Sequence, residues 1–175
     1  GLLAQNAGEY DEARKFYQQS LKIKENLGDK SGMSILLHQL GSLAQNAGEF
    51  DKARNFYQQS MKLFKDIGDK SGMSGSLYQL GVLAQEIGEY DEARMLYQQS
   101  LKISQDLGHR IDVAFCLAQS ALLEEQQGNI QVAIDMISQS QAIFEQIDAK
   151  SCAQIVRNHK KLLQKKLDEL EDQPT

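Results

Sequence analysis

The heptapeptide GEYDEAR occupies residues 8–14 and returns unchanged at 88–94, with GEFDKAR at 48–54 between them. Residues 1–40 laid over 41–80 agree at 27 of 40 positions; 81–107 continue the same register, and 121–147 follow it more loosely. Self-similarity at this period marks an array, in which each unit cannot bury its apolar face alone and does so against its neighbours. A motif serving a single catalytic site has no reason to recur once per unit, so the repeat points to architecture before chemistry.

Within a unit, Met33, Leu36, Leu37, Leu40, Leu43, Ala44 and Ala47 recur at spacings of three and four, the apolar face of one helix, here helix A. After Gly48, Ala53, Phe56, Tyr57, Met61, Phe64 and Ile67 repeat that spacing in helix B. Glycines such as Gly48 and Gly68 suit the left-handed residue just past a helix end, and Asp29 and Asp69 can cap the next helix A, with His109 in the equivalent later place. GEYDEAR then reads as a hinge: glycine stops helix A, acidic residues favour the positive start of helix B, Tyr10 or Tyr90 packs as a staple, and alanine opens a close helix contact. The single proline, Pro174, lies near the end, so nothing earlier interrupts helices in this way. The expected class is all-α.

These residues resemble the tetratricopeptide repeat family. Leu40-Gly41 and Leu80-Gly81 match its leucine and glycine in helix A, with Leu37 and Leu77 where a tryptophan often stands; Ala13 with Tyr17, Ala53 with Tyr57 and Ala93 with Tyr97 match its alanine and aromatic in helix B. The unit departs from the family pattern in having 40 residues rather than 34, no proline closing helix B, and Ala44 and Ala84 in place of an aromatic. Such long-helix repeats are similar to those of kinesin light chains, spindle-orientation scaffolds and the sensor arms of STAND-type regulators. The resemblance covers residues 1 to about 147 and implies a right-handed superhelical solenoid of antiparallel helix pairs over 1–150, in units 1–28, 29–68, 69–108 and 109–148. Residues 151–170, with Ile155, Val156, Leu162, Leu163, Leu167 and Leu170 at helical spacing, are expected to form a capping helix, followed by a tail at 171–175. Gly1 aligns with Gly41 and Gly81, so the first unit reads as truncated, the chain as a fragment of a longer array, and its first surface as prone to self-association.

Hydrophobic residues at 41% and charged residues at 25% fit a soluble globular chain, and a net charge of −5 disfavours nucleic acid and anionic membranes as partners. The two cysteines, Cys116 and Cys152, lack the density of a disulfide framework and fit a reducing compartment, hence an expected cytoplasmic location. His38, His109 and His159 lie far apart and pair with no Cys or Asp at metal-ligand spacing, and no nucleophile motif or phosphate loop appears. No enzymatic activity, cofactor or metal is expected.

What remains is recognition. In the family fold helix A lines the concave wall, so its residues pointing away from the packing face are candidate contacts for a peptide: Ile35, His38, Gln39, Ser42, Gln45 and Asn46 in the second unit; Tyr78, Gln79, Val82, Gln85 and Glu86 in the third; Phe115, Gln119 and Leu122 in the fourth. Gln39, Gln79 and Gln119 share one place, and an amide there offers both donor and acceptor to a peptide backbone. This wall carries no lysine or arginine and turns acidic toward Glu86, which suits a neutral to mildly basic partner with apolar anchors. The expected function is a protein-interaction module. A sensor or assembly arm of a STAND-type ATPase and a self-associating structural array are the alternatives.

Overall fold

The structure, a computed structural model, describes residues 2–171, with side chains described from Glu12 onward. These residues form eight α-helices: α1 Leu2–Asn26, α2 Lys30–Asn46, α3 Phe50–Asp66, α4 Lys70–Glu86, α5 Tyr90–Asp106, α6 Arg110–Gln126, α7 Ile130–Gln146 and α8 Lys150–Glu171. From α2 to α7 each helix has 17 residues. A three-residue turn separates each from the next, so a helix pair repeats with the 40-residue period of the sequence. The chain divides into two compact units, residues 1–87 holding α1–α4 and residues 88–175 holding α5–α8.

The turns are set by local chemistry. At the end of α2, Gly48 takes φ +73°, its N–H donates to the Gln45 carbonyl at 2.9 Å, and the Glu49 N–H donates to the Ala44 carbonyl at 2.8 Å. This paired arrangement satisfies two carbonyls that a helix end would otherwise leave open. A positive-φ residue recurs every 20 residues from Gly28 onward, and the last of them is not glycine: Asp148 holds the place with φ +57°. Asp29 and Asp69 cap α2 and α4 as the sequence implies, each accepting from a glycine N–H at N3, Gly32 at 2.8 Å and Gly72 at 2.9 Å. A hydrogen bond from Lys24, with that from Gly32, holds the Asp29 carboxyl below its usual range.

Three expectations fail locally. Gly8 stops no helix, because α1 runs unbroken through the first GEYDEAR. Continuing the helix bonds the backbone groups that a turn would leave open, against about 1 kcal/mol for an interior glycine. His109 accepts no cap bond; its Nδ1 lies 3.3 Å from Asp112 instead. Nor do the hinge glutamates cap: Glu49 and Glu89 stand at the N-cap of α3 and α5 without a side-chain cap bond. The side chain of Tyr10 lies outside the described residues, whereas Tyr90 and Phe50 are exposed to an equal degree, 38%.

In the first unit, α3 packs between α2 and α4. Tyr57 is fully buried with its ring against Gly41, so close that a Cβ there would stand 2.6 Å from the ring; Phe64 lies against Gly72 in the same way. Ser60, the serine of the YQQS stretch, is fully buried and donates to the Ser34 carbonyl of α2 at 2.8 Å. The second unit repeats the plan with other residues. Ser140 of α7 donates to the Ala114 carbonyl of α6 at 2.7 Å, and Ala114, Ala121, Ala133, Ile134, Ile137, Phe144, Ala153, Val156 and Leu163 share one buried cluster. Cys116 is buried in this unit, which pushes its thiol pKa up.

Hinge arginines and glutamates act at long range. Arg14, the last residue of the first GEYDEAR, donates to Glu49, the second residue of the next copy, at 2.8 Å. In the second unit Arg94 reaches Glu124 at 2.8 Å, and Asn129, standing where Glu49 and Glu89 stand in earlier units, donates to the same carboxylate at 2.7 Å. The Glu124 side chain is only 8% exposed, and the hydrogen bond from Arg94 holds its carboxyl below the usual range despite that burial.

Candidate functional site

The candidate wall residues lie on helices A, and in the first unit α2 and α4 present them side by side. The backbone of this surface is fixed by the contacts just described, because Gly41 and Leu40 on the opposite side of α2 are buried. On the surface itself, Gln45 is held from two directions: the buried Tyr57 donates its hydroxyl to Gln45 Oε1 at 2.9 Å, and Gln45 Nε2 donates to Glu86 Oε2 on α4 at 2.8 Å. The orientation of the Gln45 amide follows from these partners, since only the oxygen can accept from Tyr57. Burial pushes the Tyr57 hydroxyl pKa up to about 12, with a hydrogen bond to Ser42 working the other way. His38 packs on the Tyr57 ring with centroids 5.3 Å apart, and its burial lowers its pKa, which favours the neutral imidazole.

Around this pinned centre, Gln39, Asn46 and Glu86 are exposed; Ser42, Tyr78, Gln79 and Val82 are half-buried; and Ile35 projects with 51% of its surface open. Gln85 departs from the set, buried at 8%. The first unit thus offers amide, hydroxyl and imidazole groups of no net charge, with Glu86 at one edge and an apolar side chain at the other. That combination can hydrogen-bond a peptide backbone and seat an apolar side chain.

In the second unit the corresponding surface belongs to α6 and α8. Phe115 meets the Phe144 ring edge-on at 5.2 Å while remaining 43% exposed; Leu122 is 37% exposed, and Gln119 is half-buried. Sequence reasoning stopped this wall at α6. The structure adds α8 as a further helix A: Glu125, one repeat after Gln85 and two after Gln45, bonds His159 Nε2 at 2.7 Å and lies 3.5 Å from Lys166 Nζ, and Lys166 stands two repeats after Glu86. Ile155 and Leu162 on α8 fall at the places of Phe115 and Leu122 and are each 67% exposed. The signal for this was in the sequence, because 151–170 continues the 40-residue register, but the loss of the hinge glycine hid it. Asp168 replaces the glycine of position 128, and α8 runs on through it to Glu171.

The other side of α8 is polar. Positions that are buried as Ser34, Leu37, Gly41 and Ala44 in α2 are exposed as Gln154, Arg157, Lys161 and Gln164 in α8. Among the described residues, no group of three His, Cys, Asp or Glu side chains is placed to hold a metal ion, and no helix is long and apolar enough to cross a membrane.

The sequence profile of the tetratricopeptide repeat matches residues 1–66 and 73–146. No curated protein matches this sequence. Among solved structures, BtubC (BKLC) from P. vanneervenii is similar over 99% of this chain and 80% of its own, with a TM-score of 0.72 and 16% identity. A kinesin light chain-type protein of Podosopora anserina with nearly identical tetratricopeptide-like repeats is similar over 93% and 90%, with a TM-score of 0.65 and 16% identity. A Rap protein complexed with Competence and Sporulation Factor is similar over 94% of this chain but 50% of its own, with a TM-score of 0.61 and 14% identity. At these identities the structures share the fold, a helical-repeat solenoid, with this chain. Profile, period and packing agree: the chain belongs to the tetratricopeptide repeat family.

Proposed function

We propose that this chain is a protein-interaction module that holds a segment of a partner protein against the exposed face of α2 and α4. Its family and its likeness to a Rap protein solved in a complex with a factor support a protein or peptide partner. The observation that carries the finer reading is the clamped Gln45, which Tyr57 and Glu86 hold in one orientation, so that little side-chain freedom is lost when a ligand meets the surface beside it. Tyr78 is the anchor, Gln39 and Gln79 the backbone contacts, and Ile35 and Val82 the apolar seat. Glu86 and a net charge of −5 favour a neutral to mildly basic segment.

The test is selection of displayed peptides against the intact chain, followed by affinity measurement on Tyr78→Ala with Gln79→Ala. Selected peptides are expected to be apolar with mildly basic flanks and to lose more than about 1 kcal/mol of binding in the variant, the size of an interface anchor, while the far-ultraviolet circular dichroism stays unchanged. Peptides that bind the variant and the parent equally tightly would remove α2 and α4 as the seat.

A further inference from the structure

One side chain that lies behind the α2–α4 surface organises it. Tyr57, on α3, is 0% exposed, so a ligand on that surface does not touch it. Its ring carries His38, and its hydroxyl bonds Ser42 and donates to Gln45 Oε1 at 2.9 Å. Three candidate contact residues of α2 thus rest on one buried group. Gln45 is tied to α4 as well, its Nε2 donating to Glu86 Oε2 at 2.8 Å. The second unit shows the same places without a hydroxyl behind them. Ile137 stands where Tyr57 does, and Glu125, at the place of Gln45, turns to α8, bonding His159 Nε2 at 2.7 Å and lying 3.5 Å from Lys166 Nζ. The wall residue at this place takes its direction from what stands behind it.

We infer that Tyr57 is a positioning residue for recognition: by turning the Gln45 oxygen inward it makes Gln45 a hydrogen-bond donor to the ligand, and so selects a carbonyl of the partner segment over an ammonium or guanidinium group at that point. This rests on the reading of α2 and α4 as the seat of a partner. The valences carry it. A glutamine amide has one oxygen and two N–H donors; the oxygen takes the Tyr57 hydroxyl and one N–H goes to Glu86, which leaves the second N–H to offer. A carbonyl accepts that N–H, and where it belongs to an amide the neighbouring N–H can donate to the Glu86 carboxylate. Lysine and arginine bring donors only, so they can meet Glu86 but set N–H against N–H at Gln45. Basic residues of the partner therefore act beside this contact and at longer range. Without the hydroxyl, Gln45 keeps only its water-exposed bond to Glu86, the amide turns over freely, and the preference for an acceptor is lost.

The test uses the intact chain with Tyr57→Phe, which keeps the ring on Gly41 and removes only the hydroxyl, and with Gln45→Met, which removes the amide. In the free protein, nuclear magnetic resonance relaxation of the Gln45 side-chain amide is expected to show a rigid group in the parent and a mobile one in Tyr57→Phe. Peptides selected against the parent are expected to bind Tyr57→Phe about fivefold more weakly, the loss of one neutral hydrogen bond, and adding Tyr57→Phe to Gln45→Met should change affinity no further. If the dependence on Tyr57 survives replacement of every Asn and Gln of the peptide by Leu, the carbonyl is the main chain's; if it disappears with them, it is a side chain's. Equal rigidity of Gln45 in the parent and Tyr57→Phe overturns the inference, whatever the peptides do. So does a Tyr57→Phe loss that persists in the Gln45→Met background, which would make the effect one of general packing. Unchanged affinity in Tyr57→Phe, where Tyr78→Ala with Gln79→Ala does weaken binding, overturns this inference alone and leaves the seat standing; indifference to all these substitutions removes the seat and the inference together.

Discussion

The α2–α3 pair of the first unit and the α6–α7 pair of the second solve one packing problem with opposite choices. In the first, Gly41 clears space for the whole Tyr57 ring, which is fully buried yet delivers its hydroxyl to Gln45. In the second, the same two positions hold Ala121 and Ile137, a larger residue facing a smaller one, in a cluster without that hydroxyl. The arginine contacts diverge likewise. Arg14 pairs with Glu49 in an arrangement left about 30% exposed, whereas Arg94 pairs with Glu124 at 8%, with Asn129 filling the place of the missing hinge glutamate. The difference teaches that each contact stays filled and leaves no buried polar side chain unpaired among the described residues, while the residues and the number of hydrogen bonds that achieve this change.

Substitution can break that comparison, most severely at the glycine. Gly41→Leu is expected to cost about 3 kcal/mol in urea denaturation, because its first carbon alone would stand 2.6 Å from the Tyr57 ring. Ala121→Gly, at the equivalent place, should cost about 1 kcal/mol, the helix-propensity difference. If the two pairs are alternative solutions, adding Tyr57→Ile to Gly41→Ala recovers part of what Gly41→Ala loses, and a double-mutant cycle that shows strict additivity would count against the exchange.

Next comes the buried arginine contact. Arg94→Met leaves the Glu124 carboxylate without its main partner and should cost about 2 kcal/mol at neutral pH, while Arg14→Met, whose partner reaches water, should cost clearly less. Acid sharpens the contrast. Because Arg94 holds Glu124 below its ordinary pKa of 4.5, this contribution is present above that value and is lost as pH falls through the lower folded one. Melting temperatures measured from pH 7 down to 2 should converge for parent and Arg94→Met at the acid end. A gap that persists there would place the stabilisation in packing.

The smallest expected effect is a gain. Asp148 carries φ +57° where the other turns carry glycine, so Asp148→Gly should stabilise by about 1 kcal/mol, and Gly128→Ala, with φ +80°, should lose about as much. A thermal melt of each against the parent decides it. Lower stability in Asp148→Gly would show that the Lys150 ion pair at 3.6 Å outweighs the backbone relief.

Much of this architecture was legible because its causes are local. Period, helix type, aspartate caps and glycine turns each depend on residues within a turn or two of one another, and the sequence displays them at fixed spacing. The tetratricopeptide assignment rested on Gly41 and Tyr57, and the close contact between them is its physical content. What escaped was long-range. The hinge arginine and glutamate both stood in GEYDEAR, yet they bond across 35 residues, so a reading of one copy gave the glutamate a role only at its own helix start and the arginine none. Nothing in the spacing of the YQQS serine signalled its buried bond to the Ser34 carbonyl, 26 residues away. The sequence reading of helices A ended at α6, because Lys166 comes beside Glu125 only when α8 is seen in the fold.

Within each unit a helix packs chiefly on its neighbours in the chain. Folding can therefore begin at any adjacent pair and spread by short loop closures, a route that favours speed. Near-duplication brings its own hazard, because α2 and α4 are so alike that a collapsing chain meets a decoy 40 residues away almost as attractive as the correct mate. Departures such as Ala121, Asn129 and Asp148 then act as serial numbers, telling otherwise interchangeable parts where along the chain they belong.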